Sequence, residues 1–234
     1  RDYDGYSEEV RVDDLTLDPA DYPDPATTQD EDNLGRLKTT TATGNPDGGG
    51  HDQIYSYGAR SFSIWDLAGN LIADSGDDFE QIIASLHPVS FNSNNDDNDS
   101  FDSRSDDKGP EPEAITTGSF LGRHYAFIGL ERMGGIMIYD ISDSANPVFV
   151  DYVLDRDFSV DAELPGGFAN PLAGDLGPES VSFIPAKSDV FDFPRVLVAN
   201  EISGTTTMYQ LIPEPASFVL LSLAGLTTLH RRRS

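Results

Sequence analysis

The chain of 234 residues contains no cysteine. That excludes a disulfide framework, a thiolate zinc site and a cysteine nucleophile, and it suits a protein kept in an oxidising exterior. Basic residues are scarce: 15 Lys and Arg stand against 41 Asp and Glu, for a formal charge of −26 and a sequence pI near 4.1. Nucleic acid is thereby excluded as a partner, because a nucleic-acid module needs a basic face for phosphates. The four histidines, His51, His87, His124 and His230, show neither H-E-x-x-H nor H-x-H spacing, so no zinc-hydrolase pattern is present. No G-x-S-x-G elbow, P-loop or dinucleotide fingerprint occurs, and Gly48-Gly49-Gly50 reads as a loop because no helix follows it.

What the chain does have is enough apolar matter for a core, with 38% hydrophobic and 10% aromatic residues, and a visible internal repeat. Residues 109–141 and 177–211 both begin Gly-Pro-Glu. Each continues through a short strand, a polar turn, a second strand (Tyr125–Leu130; Arg195–Ala199), a Glu, a Gly turn and a strand ending at an aromatic. Glu131 to Glu201 and Tyr139 to Tyr209 are each 70 residues apart. A weaker copy runs from Ile54 through Trp65-Asp66, and Trp65 to Tyr139 is 74 residues. Turns at Asp66–Asn70 and Asp140–Pro147 lead to further strands, Leu71–Ala73 and Val148–Tyr152. Several short strands per unit, separated by Gly, Asn and Pro turns, predict an all-β chain of β-propeller blades, with a β-sandwich as the rival. About three blades fall short of the usual four to eight, and the chain opens at Arg1 without an apolar leader. The expectation is an N-terminally truncated piece of a larger propeller.

Acid is concentrated. Residues 1–32 hold 12 Asp and Glu, and residues 92–113 hold eight. Asp96, Asp97, Asp99, Asp102, Asp106 and Asp107 fall within twelve residues, interleaved with Asn and Ser. Calcium takes six to eight hard oxygens from flexible loops, so these six are the candidate calcium ligands, although EF-hand spacing is lacking. The rival reading is a solvated acidic loop. Glu111, Glu113 and Glu179, in or beside the Gly-Pro-Glu turns, are the candidates to line a central channel, where converging carboxylates make a cation site or an acid–base pair; the rival reading is that they satisfy backbone donors at blade starts. Glu131 and Glu201, at equivalent hairpin turns, are given a repeated structural role. Arg60, Arg104, Lys108 and Arg123 are the residues available for a phosphate clamp.

The only long apolar run is at the end. Residues 213–234 read PEPASFVLLSLAGLTTLHRRRS: Pro213-Glu214-Pro215, then the apolar run Ala216–Leu229, then Arg231-Arg232-Arg233. Fourteen residues of helix cover roughly 20 Å, short of a hydrocarbon core of about 30 Å, with the arginines on the cytoplasmic side. This three-part tail resembles the PEP-CTERM sorting signal. The resemblance implies export, transient inner-membrane anchoring and processing at Pro213-Glu214-Pro215 by an exosortase-type enzyme. Residues 212–234 are therefore set apart as a sorting segment with a short C-terminal hydrophobic transmembrane helix, and residues 1–211 as the partial propeller.

Phe91-Asn92-Ser93, the run Asn98–Glu113, Phe127–Arg132, Asp140–Asp143 with Asn146-Pro147, and Val198–Thr205 resemble the choice-of-anchor I domain. That resemblance implies a bacterial surface propeller, similar to animal mesenchyme-specific cell-surface glycoproteins. It carries no defined chemistry, and a fold-level likeness assigns none. The function expected is an exported, surface-anchored binding or adhesion module of the cell envelope or exopolysaccharide matrix, with calcium bracing its acidic loops. The alternative is a metal-dependent alkaline phosphatase or phytase-like phosphoesterase.

Overall fold

The chain is described from a computed structural model, which covers residues 2–3, 6–58, 60–187 and 192–213. In chain order its strands are β1 (Asp2–Tyr3), β2 (Tyr6–Ser7), β3 (Glu9–Arg11), β4 (Lys38–Thr40), β5 (Ser63–Trp65), β6 (Leu71–Asp74), β7 (Pro112–Phe120), β8 (Arg123–Leu130), β9 (Ile136–Asp140), β10 (Val148–Val153), β11 (Glu163–Leu164), β12 (Phe168–Ala169), β13 (Pro178–Ile184), β14 (Arg195–Asn200) and β15 (Thr205–Gln210). Two α-helices interrupt them, α1 (Pro25–Thr28) and α2 (Asp78–Leu86). The fold is mostly β, as expected.

Two antiparallel meanders form its centre, a four-stranded sheet in the order β10-β9-β8-β7 and a three-stranded sheet in the order β13-β14-β15. The strands expected at Tyr125–Leu130, Arg195–Ala199 and Val148–Tyr152 are β8, β14 and β10. From Ala126 to Leu130 β8 reads as an apolar run because both of its faces are buried there. Ala126, Ile128 and Leu130 point into one cluster with Phe62, Phe79, Ile83, Met137 and Tyr139. Phe127 points the other way, against Val181, Val196 and Val198 of the second sheet.

The first face is covered by the β5–β6 hairpin and α2. Phe79, Ile82, Ile83 and Leu86 recur at helical spacing, and Phe79 and Ile83 are fully buried. Phe62 and Phe79 place their rings 4.9 and 5.9 Å from that of Tyr139. On the second face, Phe183 stacks on Phe127 at 5.9 Å and lies directly over Gly118. A Cβ at Gly118 would stand 2.3 Å from the Phe183 ring, so the missing side chain is what lets the two sheets close.

Two expectations are corrected. Ile54–Tyr57 forms no strand, only a bridge between Ser56 and Thr39, so the weakest copy is reduced to the β5–β6 hairpin around its Asp66–Asn70 turn. The repeat register also shifts by two residues. Pro112 pairs with Leu130 ahead of a bulge, as Pro178 pairs with Asn200. The Glu131 N–H donates to the Glu111 carbonyl at 2.8 Å, and the Glu201 N–H to the Gly177 carbonyl at 2.7 Å. Gly177-Pro178-Glu179 therefore matches Glu111-Pro112-Glu113, not Gly109-Pro110-Glu111. The reason is backbone shape: Glu111 and Gly177 share a left-handed φ, 52° and 70°.

No sheet closes on itself among the described residues, and no helix there is long and apolar enough to cross a membrane. Glu214, Pro215, Arg231, Arg232 and Arg233, with the expected terminal helix, lie outside the described residues. Pro213 is the last described residue and is exposed.

Candidate functional site

The turn before β7 and the turn after β8 bring Glu111, Glu113 and Glu131 together. One carboxylate oxygen of each lies within 4.8 Å of the others. Glu111 and Glu131 are 2% and 8% exposed, while Glu113 faces solvent. Around them stand three cations. Lys108 reaches Glu111 at 2.5 Å and Glu113 at 3.1 Å. Arg132 reaches Glu111 and Glu131, each at 3.2 Å, and Arg104 bonds Glu111 directly. Asn95 donates to Glu131 at 3.0 Å.

These surroundings drive the two buried carboxyls apart. Burial raises the proton affinity of Glu111, but bonds from Lys108 and Arg104 and the charge of Arg132 outweigh it and hold the group well below its ordinary value. Burial also raises Glu131, and the charge of Arg132 opposes it without outweighing it. The hydrogen bond to Glu111 and the charges of Glu111 and Glu113 push Glu131 up to about 7. Between the two values, below neutrality, the pair thus holds an ionised Glu111 and a protonated Glu131, and near pH 7 Glu131 exchanges its proton.

Five of the six aspartate carboxylates have partners of their own. Asp96 accepts from Asn94 at 2.6 Å, and Asp97 accepts the Asp99 N–H at 2.9 Å. Asp102 accepts from the Ser105 hydroxyl. Asp106 pairs with Arg11 at 2.8 Å, and Asp107 with Arg104 at 3.0 Å and Lys38 at 3.2 Å. Among the described residues no three of these six bring carboxylate oxygens together; that grouping belongs to Glu111, Glu113 and Glu131. Glu179 lies exposed on β13, outside that group.

The cation at the heart of the acidic loop is Arg156. It is 7% exposed, with its charge centre 4.5 Å from the centre of the Phe158 ring. It donates to the Asn98 side chain at 2.7 Å and to the carbonyls of Asn94 at 2.5 Å, Asp97 at 3.3 Å and Arg132 at 2.7 Å. Burial lowers its pKa to about 10. Three backbone carbonyls and one side-chain amide oxygen around the acidic loop are thus turned toward a guanidinium. Eight of the chain's 15 basic residues serve this region: Arg11, Arg36, Lys38, Arg60, Arg104, Lys108, Arg132 and Arg156.

Sequence reasoning gave Glu131 only a structural role and passed over Arg132 and Arg156. The adjacent pair Glu131-Arg132 was legible. The partnership of Arg156 with residues 94–98 spans about 60 positions and leaves no local signal.

Stacked antiparallel meanders, clamped at one end by a buried ion network, define a β-rich module whose acidic loop is tied down by the protein's own cations. The chain belongs to the choice-of-anchor I domain family, whose sequence profile matches residues 1–144. It is 30% identical over 185 residues to Gigasin-3a of Magallana gigas, covering 76% of this chain and 64% of that protein. It is 25% identical over 191 residues to the mesenchyme-specific cell surface glycoprotein of Strongylocentrotus purpuratus, covering 74% of this chain and 20% of that protein. The chain therefore spans less than two thirds of either relative's length. No solved structure matches it.

Proposed function

We propose that the chain is an exported, cell-surface-associated module of β-propeller design that binds a partner and is not a phosphoesterase. The observation that carries this reading is the saturation of its cations. A phosphate clamp needs arginine or lysine free to meet the ester. Arg104 and Lys108 are taken by Asp107, Glu111 and Glu113. Arg60 is held by Glu80 at 2.6 Å, and Arg123 pairs with Asp140 on the surface. The Glu111–Glu131 pair then acts as a clamp between the acidic loop and the four-stranded sheet.

Surface association is supported by family membership and by the name of the sea-urchin relative. The propeller reading is supported by the two repeats, which stack face to face as neighbouring blades do. The tail supplies the address: Pro213-Glu214-Pro215 as the processing site of an exosortase-type enzyme, Ala216–Leu229 as the transient membrane segment and Arg231–Arg233 as its cytoplasmic stop. The envelope or exopolysaccharide matrix is the place of action. Deleting Pro213–Ser234 in the producing cell is expected to leave folding intact and release the protein from the envelope. A truncated protein that still fractionates with membranes overturns the sorting reading. Turnover of a phosphate ester by the purified chain, abolished in Lys108→Gln, overturns the non-enzymatic one.

A further inference from the structure

Residues 8–58 hold together by contacts of their own. β3 pairs with β4. Leu17 bridges to His51, and the Asp18 N–H donates to the His51 carbonyl at 2.9 Å. The Gln29 amide donates to the carbonyls of Val12, Asp13 and Leu15 at 2.9, 3.1 and 2.8 Å, and the Thr39 hydroxyl donates to the Tyr55 carbonyl at 2.7 Å. Val12, Leu15 and Leu17 are buried, yet among the described residues they belong to none of the apolar clusters built around the two meanders.

The ion pairs that carry this unit to the rest of the chain converge on the acidic loop. Arg11 meets Asp106 at 2.8 Å, Arg36 stands 3.9 Å from Asp106 and 4.0 Å from Asp102, and Lys38 meets Asp107 at 3.2 Å. The Lys38 N–H also donates to the Asp106 carbonyl at 2.8 Å. The three cations are partly exposed, so each pair is of the weak, solvated kind. A cleft of about 270 Å³ runs along the seam, lined by Glu31 and Asp32 of the unit and by Asp102 and Asp106 of the loop, with Arg36 the one cation among its lining residues. Repulsion between carboxylates therefore works against the pairs along the same seam. The unit leaves toward β5 through Gly58, whose φ of 71° is left-handed. Two residues on, Arg60 is fixed to the carbonyls of Ser105 at 2.5 Å and Asp107 at 3.2 Å. A conformationally free residue between two anchored parts is the make-up of a hinge.

We infer that residues 8–58 are a hinged strap over the acidic loop, turning about Gly58 as a unit and closed by Arg11, Arg36 and Lys38 on Asp102, Asp106 and Asp107. Closed, it shields Asp106 and Asp107, whose side chains are 17% and 11% exposed. Open, it presents those carboxylates to the exterior while the meanders keep their own apolar cores. A self-cohering unit on a weak polar seam opens at less cost than global unfolding. The strap gates the acidic loop whatever the module binds.

The absence of cysteine makes the test clean. Ala26→Cys on the strap and Ser144→Cys after β9, both at exposed positions, carry nitroxide labels on the full chain, and electron–electron dipolar spectroscopy reads their separation. The labelled parent should show one dominant distance. Arg11→Met/Lys38→Met cuts the seam from the strap side, and Asp106→Asn cuts it from the loop side. Each should raise the population at changed distance about fivefold, the equivalent of about 1 kcal/mol. Hydrogen exchange on the same samples should leave the Asp18 and His51 amides, which are bonded inside the strap, as slow as in the parent. An unchanged distance distribution, a gain in only one of the two variants, or lost protection at Asp18 and His51 overturns the proposal.

Discussion

Glu111 holds a left-handed backbone that Gly177 adopts at the matching position of the second repeat. For a residue with a Cβ that conformation costs about 1–3 kcal/mol. It persists because the side chain, once there, meets Arg104, Lys108 and Arg132. Replacing Glu111 by Gly relieves the strain and leaves the three cations without their shared buried partner. Breaking one side of a buried pair costs about 3–5 kcal/mol, so Glu111→Gly is expected to lower stability by about 2 kcal/mol net. Urea denaturation measures this, and a variant more stable than the parent would remove the electrostatic explanation. Glu131 makes the complementary prediction in pH. In the folded chain it keeps its proton up to about pH 7, against 4.5 ordinarily. Between those values the folded state binds more protons than the unfolded state. The contribution of Glu131 is fully present below pH 4.5 and drains away as pH rises to 7. Glu131→Gln keeps an acceptor for Asn95 and cannot ionise. Its stability relative to the parent should rise across that window by on the order of 1 kcal/mol, the full shift being reduced by solvent screening. A parallel pair of stability–pH curves would show that Glu131 titrates normally.

At the scale of elements, the glycine at 118 and the arginine at 156 decide how pieces distant in sequence fit together. Gly118→Ala drives a methyl group into the Phe183 ring, and overpacking of this kind costs about 1–3 kcal/mol. Phe183→Leu in the same chain should recover part of that loss. A double-mutant cycle with no coupling would mean that the sheets separate without resistance at this point. Arg156→Met removes the donors that hold the carbonyls of Asn94 and Asp97, at about 2–3 kcal/mol, and should open residues 94–98 to proteolysis before the sheets unfold. β8, β9, β10 and β14 were readable from sequence, because their apolar runs and turn residues are local signals. α2 was equally readable from Phe79, Ile82, Ile83 and Leu86 but is absent from the repeat-based expectation, which looked for strands. The Gly-Pro-Glu match misled by two residues, since identical tripeptides occupy different backbone shapes. The aspartates were legible as a cluster of charge, but the long-range ion pairs of Asp106 with Arg11 and of Asp107 with Lys38 left no local signal.

The molecule as a whole carries a charge of −26, and how it tolerates that charge separates two accounts of the acidic loop. In one, calcium neutralises the aspartates. In the other, the protein's own cations do so inside, and the remaining acid lies on the surface as mutual repulsion. Repulsion between exposed charges is screened over about 8 Å at 0.15 M salt and about 3 Å at 1 M, while the partly buried pairs are screened much less. Sodium chloride raised from about 0.05 M to about 0.5 M should therefore raise the unfolding temperature by a few degrees, because more repulsion than attraction is removed. Calcium and magnesium chloride at matched ionic strength should raise it equally, and chelator should have no effect. Arg156→Met is the sharpening variant: with the guanidinium gone, the loop oxygens lose their internal cation, and a calcium-specific rise that appears only there would identify Arg156 as the residue standing in calcium's place. A calcium-specific rise in the unaltered chain at micromolar concentration, matched by calorimetric binding, would overturn the internal-cation account and return Asp96–Asp107 to the role of metal ligands.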